Sequence, residues 1–196
     1  MRGDRLECII LAAGSSRRLG RDKALIEIGS QTLIGWISGR LSSRFADLTV
    51  VVNQGNFGEI SRLLPNANVI LNPEPDKGRT GSLKVGISSI DSSRGTEYRL
   101  LVVPVDRPGF SDSTLERLLS SEETCCPMKK GRGGHPLMIS NDDVKKVRVS
   151  SAHLPLKEII EASRFEVFDR FLDLNIDTPE DVRNLSEKLD SVNEEN

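Results

Sequence analysis

Three short stretches of the chain are apolar at nearly every position, and this pattern restricts the fold more than any other feature. They read LECIILA at 6–12, LTVVVN at 48–53 and RLLVVPV at 99–105. A strand with one face in water alternates apolar and polar residues, so continuous apolar runs indicate strands buried on both faces of a parallel sheet. A shorter strand pattern lies at 68–71, and helical spacing recurs at 32–43, 56–64, 80–90 and 112–120. We therefore predict an α/β fold: a three-layer α/β/α, Rossmann-like architecture with a mostly parallel twisted sheet and helices on both faces.

The second half of the chain is less regular. Strand-like segments lie at 123–128, 135–140 and 165–169, and a helix is predicted at 155–162. Near the end, Thr178 is a good N-cap, Pro179 suits the first helical position and Asp181 sits three residues after the cap. The helix predicted from there buries Val182, Leu185 and Leu189.

The length and composition exclude several classes of protein. A chain of 196 residues suits one domain, so we predict a single domain over 1–196. The net charge of −2 gives no case for a nucleic-acid partner. No apolar run approaches the roughly 20 residues that span a bilayer, and the chain opens without a signal-peptide pattern. We expect a cytoplasmic protein with no membrane partner, three reduced thiols and an oligomeric state that the sequence does not indicate.

The loop after the first strand has a composition that suits a triphosphate. Ala12, Ala13 and Gly14 keep the backbone small where the chain turns, so phosphate oxygens can approach its N–H groups. In an open parallel sheet, ligands bind beyond the carboxyl ends of the strands, which is where this loop lies. Its cations, against Asp22 alone, leave a local charge of +3: Arg17, Arg18, Arg21 and Lys23. The spacing matches neither a Walker A loop nor G-x-G-x-x-G, and composition alone also fits a solvated basic loop.

The order of residues in this loop resembles a known signature. The pattern L-A-A-G-x-S-x-R-x-G-x-x-K is similar to that of the nucleotidyltransferases related to the molybdenum cofactor guanylyl- and cytidylyltransferases. It is also similar to that of sugar-phosphate and methylerythritol-phosphate nucleotidyltransferases. The matching positions are Leu11, Ala12, Ala13, Gly14, Ser16, Arg18, Gly20 and Lys23. The resemblance implies that this loop binds the nucleotide and that Arg18 and Lys23 are catalytic cations on its β- and γ-phosphates.

Two aspartates complete the pattern that the resemblance implies. Asp106 follows the fourth strand, and in a doubly wound sheet the first and fourth strands are neighbours, so Asp106 is expected to face the basic loop. A carboxylate beside a triphosphate is suited to holding Mg²⁺ and to contacting the nucleotide and its reaction centre. By resemblance, Asp177 in NIDTPEDV is the second Mg²⁺ ligand, whereas Asp181 belongs to the helix cap. Without the resemblance, both ligand candidates also fit turn or capping roles.

Two further segments match the same family. NPEPDKGRTGSLKVGI at 72–87 places Gly78 and Ser82 where the family contacts the base and ribose. GRGGHPLMI at 131–139 is similar to the cytidylyltransferase branch, and His135 there either contacts the acceptor or braces the strand. An ordinary histidine pKa of about 6.5 suits acid–base work. The family's G-D-x-G-x-R segment is absent, since 147–162 reads VRVSSAHLPLKEIIEA.

Together these motifs predict a Mg²⁺-dependent enzyme. It is expected to transfer a nucleoside monophosphate from a nucleoside triphosphate, CTP in preference to GTP, to a phosphorylated acceptor with release of pyrophosphate. A molybdopterin-type acceptor is expected from the resemblance, and the missing segment leaves a sugar or polyol phosphate open. A nucleotide-binding regulator without turnover is the alternative from another class.

Overall fold

The computed structural model describes residues 5–194, which form one mixed β-sheet between helices. The strands are β1 (Arg5–Ala12), β2 (Glu27–Ile28), β3 (Gln31–Thr32), β4 (Thr49–Val52), β5 (Asn68–Leu71), β6 (Tyr98–Pro104), β7 (Cys125–Lys129), β8 (Arg132–Gly133), β9 (Leu137–Ile139) and β10 (Ser163–Glu166). The helices are α1 (Leu33–Ser42), α2 (Phe57–Leu63), α3 (Gly78–Arg94), α4 (Asp112–Leu119), α5 (Asn141–Val149), α6 (Pro179–Val182) and α7 (Leu185–Glu194).

The sheet runs in the order β5–β4–β1–β6–β9–β7–β10, with β8 paired to β7 and the short β2–β3 ribbon separate. Strands β5, β4, β1 and β6 are parallel to one another. Strand β9 is antiparallel to both of its neighbours, and β10 is parallel to β7. The prediction of a mostly parallel sheet is confirmed. The chain moves outward from β1 through β4 to β5 and then returns to the other side of β1 at β6, so β1 and β6 flank the switch point.

Strand β1 is buried on both faces because helices cover both. Its even-numbered side chains, such as Cys8 and Ile10, join a core with residues of α1, α2, α4 and α7. Its odd-numbered side chains, such as Ile9 and Leu11, join a second core with residues of α3 and α5. The period of two in a strand therefore explains the continuous apolar run and confirms the three layers.

Two predicted helices differ from the structure. Residues 155–162 form no α-helix and contain only a 3₁₀ turn at Leu156–Glu158. The helix of this region is α5, which begins after Ser140, whose side chain accepts a hydrogen bond from the Asp143 N–H, and which buries Val144 and Val147. Its short, highly charged sequence hid the apolar spacing.

The C-terminal helix is interrupted. It splits into α6 and α7 because Asn184 adopts a left-handed backbone conformation (φ 56°) between them. Leu185 and Leu189 are buried as predicted, whereas Val182 is only partly buried.

All three cysteines are buried free thiols. Within residues 5–194, no helix combines the length and apolar character that crossing a bilayer requires.

Candidate functional site

A cleft of about 590 Å³ opens at the carboxyl edge of the sheet, beside the switch point between β1 and β6. Its walls come from the loop after β1, the start of α3, the loop after β6 and the segment before α6. Every residue predicted to bind the nucleotide or the metal lines this cleft: Leu11, Ala12, Ala13, Gly14, Ser16, Arg18, Lys23, Gly78, Ser82, Asp106 and Asp177. The fold therefore brings these residues together, while the role of each stays a prediction. His135 does not line the cleft.

Two asparagines after β4 hold the basic loop in place. The Asn53 side-chain amide donates to the Gly14 carbonyl oxygen at 3.1 Å, and that of Asn56 donates to the Ala12 carbonyl oxygen at 2.9 Å. Asn56 is fully buried, so its amide is committed to these contacts. These two contacts fix the backbone of the turn at the carboxyl end of β1.

The carboxylate of Asp22 organises the end of the loop. It accepts hydrogen bonds at 2.9 Å from the Ala24 N–H and from the Asn56 amide. Burial raises the pKa of Asp22, and these hydrogen bonds oppose that rise. Ser16 accepts a hydrogen bond from the Lys23 N–H at 3.1 Å, which folds the loop back on itself and directs Lys23 into the cleft.

The charges of the cleft converge on Lys23. Its ammonium Nζ lies 2.6 Å from Asp177 Oδ1 and 3.4 Å from Asp106 Oδ2. Arg18 also reaches Asp177, at 2.9 Å, from a side chain that is 73% exposed. The Ile176 N–H donates to the Asp106 carbonyl oxygen at 3.0 Å, and this backbone bond sets the two carboxylates side by side although 70 residues separate them. A loop cation and two distant carboxylates therefore form one cluster.

Asp177 is held in its charged form. The hydrogen bond from Lys23 is the main cause that lowers the pKa of Asp177, with further help from Asn175 and Arg18. Asp181 fixes the backbone next to it, because its carboxylate accepts hydrogen bonds from the Asp177 N–H at 2.9 Å and the Thr178 N–H at 2.7 Å. The geometry agrees with the prediction that Asp181 caps a helix and that Asp177 faces the cleft.

The start of α3 forms the opposite wall. Ser82 donates to the Gly78 carbonyl oxygen at 3.2 Å and accepts from the Asn72 amide at 3.0 Å. Its hydroxyl is therefore already engaged, and Ser82 shapes the wall rather than presenting a free donor. Gly78 adopts a left-handed conformation (φ 80°), which favours glycine at this position. An added Cβ would meet no atom within 4 Å, so the backbone conformation and not a lack of space is the reason.

His135 lies behind this wall. Its Nε2 is 3.4 Å from a guanidinium nitrogen of Arg79, which does line the cleft. Burial, followed by the positive charges of Arg79 and Arg107, lowers the pKa of His135 to about 4. The imidazole is therefore neutral at pH 7 and holds no acidic proton to donate there, while its role toward the acceptor stays a prediction.

Several residues of the site were missed in the sequence. Arg17 and Asp22 were counted only as loop charge, although both line the cleft. Asn53 and Asn56 belong to no motif, and Arg79 lies in the quoted segment 72–87 without an assigned role. The two asparagines follow the carboxyl end of a buried strand, and that position was the available signal.

The described residues contain no group of three or more histidine, cysteine, aspartate or glutamate side chains placed to hold a metal ion. Asp106 and Asp177 are the carboxylates that meet at the cleft beside Lys23. Any ion held there therefore needs further oxygen ligands from elsewhere, such as phosphate or water.

Comparisons with known proteins identify the family and the fold of the chain. The family model described as "MobA-like NTP transferase domain" matches residues 8–167. A molybdenum cofactor guanylyltransferase of Cereibacter sphaeroides is 30% identical over 134 residues, which is 67% of this chain and 66% of that protein, just under two thirds of its length. One of Sinorhizobium fredii is 25% identical over 96% of this chain and 94% of its own. A solved nucleotidyl transferase from Methanothermobacter has the same fold, with a TM-score of 0.76 at 19% identity over 97% of this chain and all of that one.

Proposed function

The chain belongs to the family of MobA-like NTP transferase domains, and from that membership we propose that it transfers a nucleoside monophosphate, GMP, from GTP to a phosphorylated acceptor of the molybdopterin type. The observation that carries the proposal is the cluster of Lys23 with Asp106 and Asp177 inside the cleft. The names of the curated relatives support GTP as the donor. The His135 segment favoured CTP in the sequence, so CTP is the second donor to be tested.

The residues present fit a Mg²⁺ ion. Asp106 and Asp177 already share one positive charge, the Lys23 ammonium, which indicates that the pair is arranged around a cation. Mg²⁺ is commonly bound by one or two carboxylates together with substrate phosphates and water, and that is the donor set this cleft offers. When bound, Mg²⁺ supplies charge neutralisation and Lewis-acid polarisation of phosphate oxygens.

The chain's own residues neutralise and align the reactants. The acceptor phosphate oxygen forms a bond to the α-phosphorus as the bond from that phosphorus to the bridging oxygen breaks, and pyrophosphate leaves with the bond electrons. The reactants are both polyanions, and like charges about 4 Å apart repel by roughly 4 kcal/mol at an effective dielectric of about 20. Arg18 and Lys23 counter that repulsion at the β- and γ-phosphates, and the N–H groups at 12–14 contact the nucleotide.

No residue is needed to take a proton from the acceptor, because its phosphate is already ionised at neutral pH. A neutral His135 is compatible with this chemistry, since its pKa of about 4 leaves it without a proton to give at pH 7. The proposal therefore rests on electrostatic positioning and not on acid–base catalysis.

The segment that replaces G-D-x-G-x-R serves to pack the fold. Ile160 is buried in the core beside α3, and the Lys84 ammonium of α3 donates to the Arg148 carbonyl oxygen at 2.8 Å at the end of α5. Its departure from the family pattern keeps a sugar or polyol phosphate as the alternative acceptor.

The test measures pyrophosphate release by the full chain with Mg²⁺ and each of GTP, CTP, ATP and UTP, with and without molybdopterin. Release with GTP that depends on molybdopterin supports the proposal. Asp106→Asn is expected to lower turnover at least about 100-fold, the usual effect of losing one well-placed electrostatic stabiliser. The matched control is Asp142→Asn, at a position 87% exposed on α5, which should retain the parent rate. Thermal stabilisation by GTP without release under any acceptor, sugar phosphates included, would instead indicate a nucleotide-binding regulator.

A further inference from the structure

A second cavity, of about 530 Å³, lies next to the nucleotide cleft and is strongly basic. Its charged lining consists of Arg107, Lys129, Lys130, Arg132 and the single carboxylate Asp173. These residues come from the loop after β6, the β7–β8 hairpin and the segment before α6. None of these side chains occupies a fixed position of the motifs that predicted the nucleotide site, although Arg132 lies in the GRGGHPLMI segment at 131–139.

Most of this positive charge is not neutralised by the protein. Asp173 is paired with Lys129, at 2.7 Å, and that ammonium also donates to the Arg170 carbonyl oxygen. Arg107, Lys130 and Arg132 have no carboxylate within ion-pair distance in the part of the chain that the structure describes. Three cations without a partner that line one cavity raise the local concentration of anions.

Arg107 provides the second, independent observation. Its Nε is buried and has no hydrogen-bond partner among residues 5–194. A buried guanidinium nitrogen left without an acceptor is costly, and such donors in native proteins are usually satisfied by a ligand or water. Because this nitrogen has almost no accessible surface, an oxyanion in the cavity would satisfy it once the guanidinium turns toward the cavity.

The two cavities share a wall. Arg107 lines the second cavity and directly follows Asp106, which lines the nucleotide cleft. Gly134 lines the second cavity and directly precedes His135, which contacts Arg79 of the cleft. Because an arginine only donates, His135 Nε2 accepts from Arg79, and its Nδ1 then carries the ring proton. That Nδ1 is also buried and without a partner among the described residues.

Resting on the proposed function, we propose that this basic cavity binds the phosphomonoester acceptor, with Arg107, Lys130 and Arg132 as the residues that select an anion. A separate positive site for the acceptor answers the main electrostatic problem of the reaction, because it neutralises the second polyanion before the two phosphates meet. No described residue lines both cavities, so an acceptor held in the basic cavity leaves the nucleotide's own contacts in place.

The decisive variants are Lys130→Gln and Arg132→Gln, singly and together, in the full chain. Both positions are exposed on the β7–β8 hairpin, so folding should be retained. In pyrophosphate release with GTP and molybdopterin, we expect the KM for molybdopterin to rise about 10-fold per cation removed, since a charge-assisted hydrogen bond is worth roughly tenfold or more in affinity. The KM for GTP should stay unchanged. Arg62→Gln, an exposed cation of α2 outside both cavities, is the matched control.

A second measurement separates failure of this inference from failure of the proposed function. Phenyl phosphate is titrated into the parent chain and the double variant while the amide NMR signals at 131–134 are followed. Saturable shifts in the parent that weaken about 100-fold in the double variant support the cavity even if no nucleotide is turned over. Normal turnover with an unchanged KM for molybdopterin in the double variant overturns the inference and leaves the proposed function standing. An unchanged KM for molybdopterin in the double variant, together with weaker inhibition by pyrophosphate, would show that the cavity binds the product pyrophosphate. That result also overturns the inference.

Discussion

The neutral state of His135 makes the folded chain sensitive to mild acid. Burial and the two nearby arginines lower its pKa to about 4, whereas an unfolded chain protonates histidine at about 6.5. At pH values between these two pKa values, the unfolded chain binds a proton at this histidine and the folded chain does not. The free energy of unfolding therefore falls as the pH drops from about 6.5 to about 4, and this contribution levels off below that range.

The size of the effect follows from the two pKa values. Between pH 7 and pH 4.5, proton linkage at this one imidazole removes roughly 2 kcal/mol from the free energy of unfolding. Carboxylates with lowered pKa values, such as Asp177, lose their stabilising contribution only when the pH falls below about 4, so they contribute little in this interval.

The assay is urea unfolding of the parent chain and of His135→Gln at both pH values. The fluorescence of the single tryptophan, Trp36, follows unfolding because that side chain is 5% exposed in the folded state. Each protein is compared with itself at the other pH, so a general loss of stability in the variant cancels. The parent should lose roughly 2 kcal/mol more than His135→Gln on acidification.

The matched control is His153→Gln, which removes the exposed second histidine and should keep the acid sensitivity of the parent. If His135→Gln loses as much stability as the parent, the fold does not hold this imidazole neutral and the reasoning is refuted. NMR titration gives an independent check, because the chain has two histidines and His135 should titrate near pH 4.

Two further predictions concern the loop cation and the packing of α3. Lys23→Gln should lower pyrophosphate release at least about 100-fold, because it removes the cation that contacts both cleft carboxylates. Arg21→Gln, in the same loop but outside the cleft lining, should keep the parent rate. Equal losses in both variants would show that the effect depends on the total charge of the loop and not on Lys23. Gly86→Ala should lower the free energy of unfolding by about 1–2 kcal/mol in urea titration, since the added Cβ would lie 2.7 Å from Ile9 Cδ1 and overpacking outweighs the gain in helix propensity. The control is Gly39→Ala, at an exposed position of α1 where an added Cβ would meet no atom within 4 Å, and it should raise the free energy of unfolding by about 0.5–1 kcal/mol. A Gly86→Ala variant as stable as the parent would contradict the close packing.

The sequence by itself determined the layers and most of the site. Continuous apolar runs such as 6–12 and 99–105 place apolar side chains on both faces of a strand, and these side chains leave water only if both faces are covered. This local pattern therefore required helices on both sides of the sheet. The carboxyl-edge rule then placed Lys23 and Asp106 at the same end of neighbouring strands. The layers were predicted from hydrophobic periodicity and strand order, whereas most of the site residues, Asp177 among them, were predicted from the resemblance to a known signature.

The tertiary structure alone decided what depends on contacts between distant segments. The resemblance predicted that Asp177 joins Asp106, but the 3.0 Å backbone bond from Ile176 to Asp106, which sets Asp177 beside Lys23, is encoded by no local pattern. The same holds for the lowered pKa of His135, because it arises from arginines at positions 79 and 107. The basic cavity joins Arg107 to cations that lie 22–25 positions further along the chain and to Asp173, 66 positions away, and these separations are not typical of a motif. Charges act through space and not along the chain, so their partners became visible only once the sheet had brought the loops together.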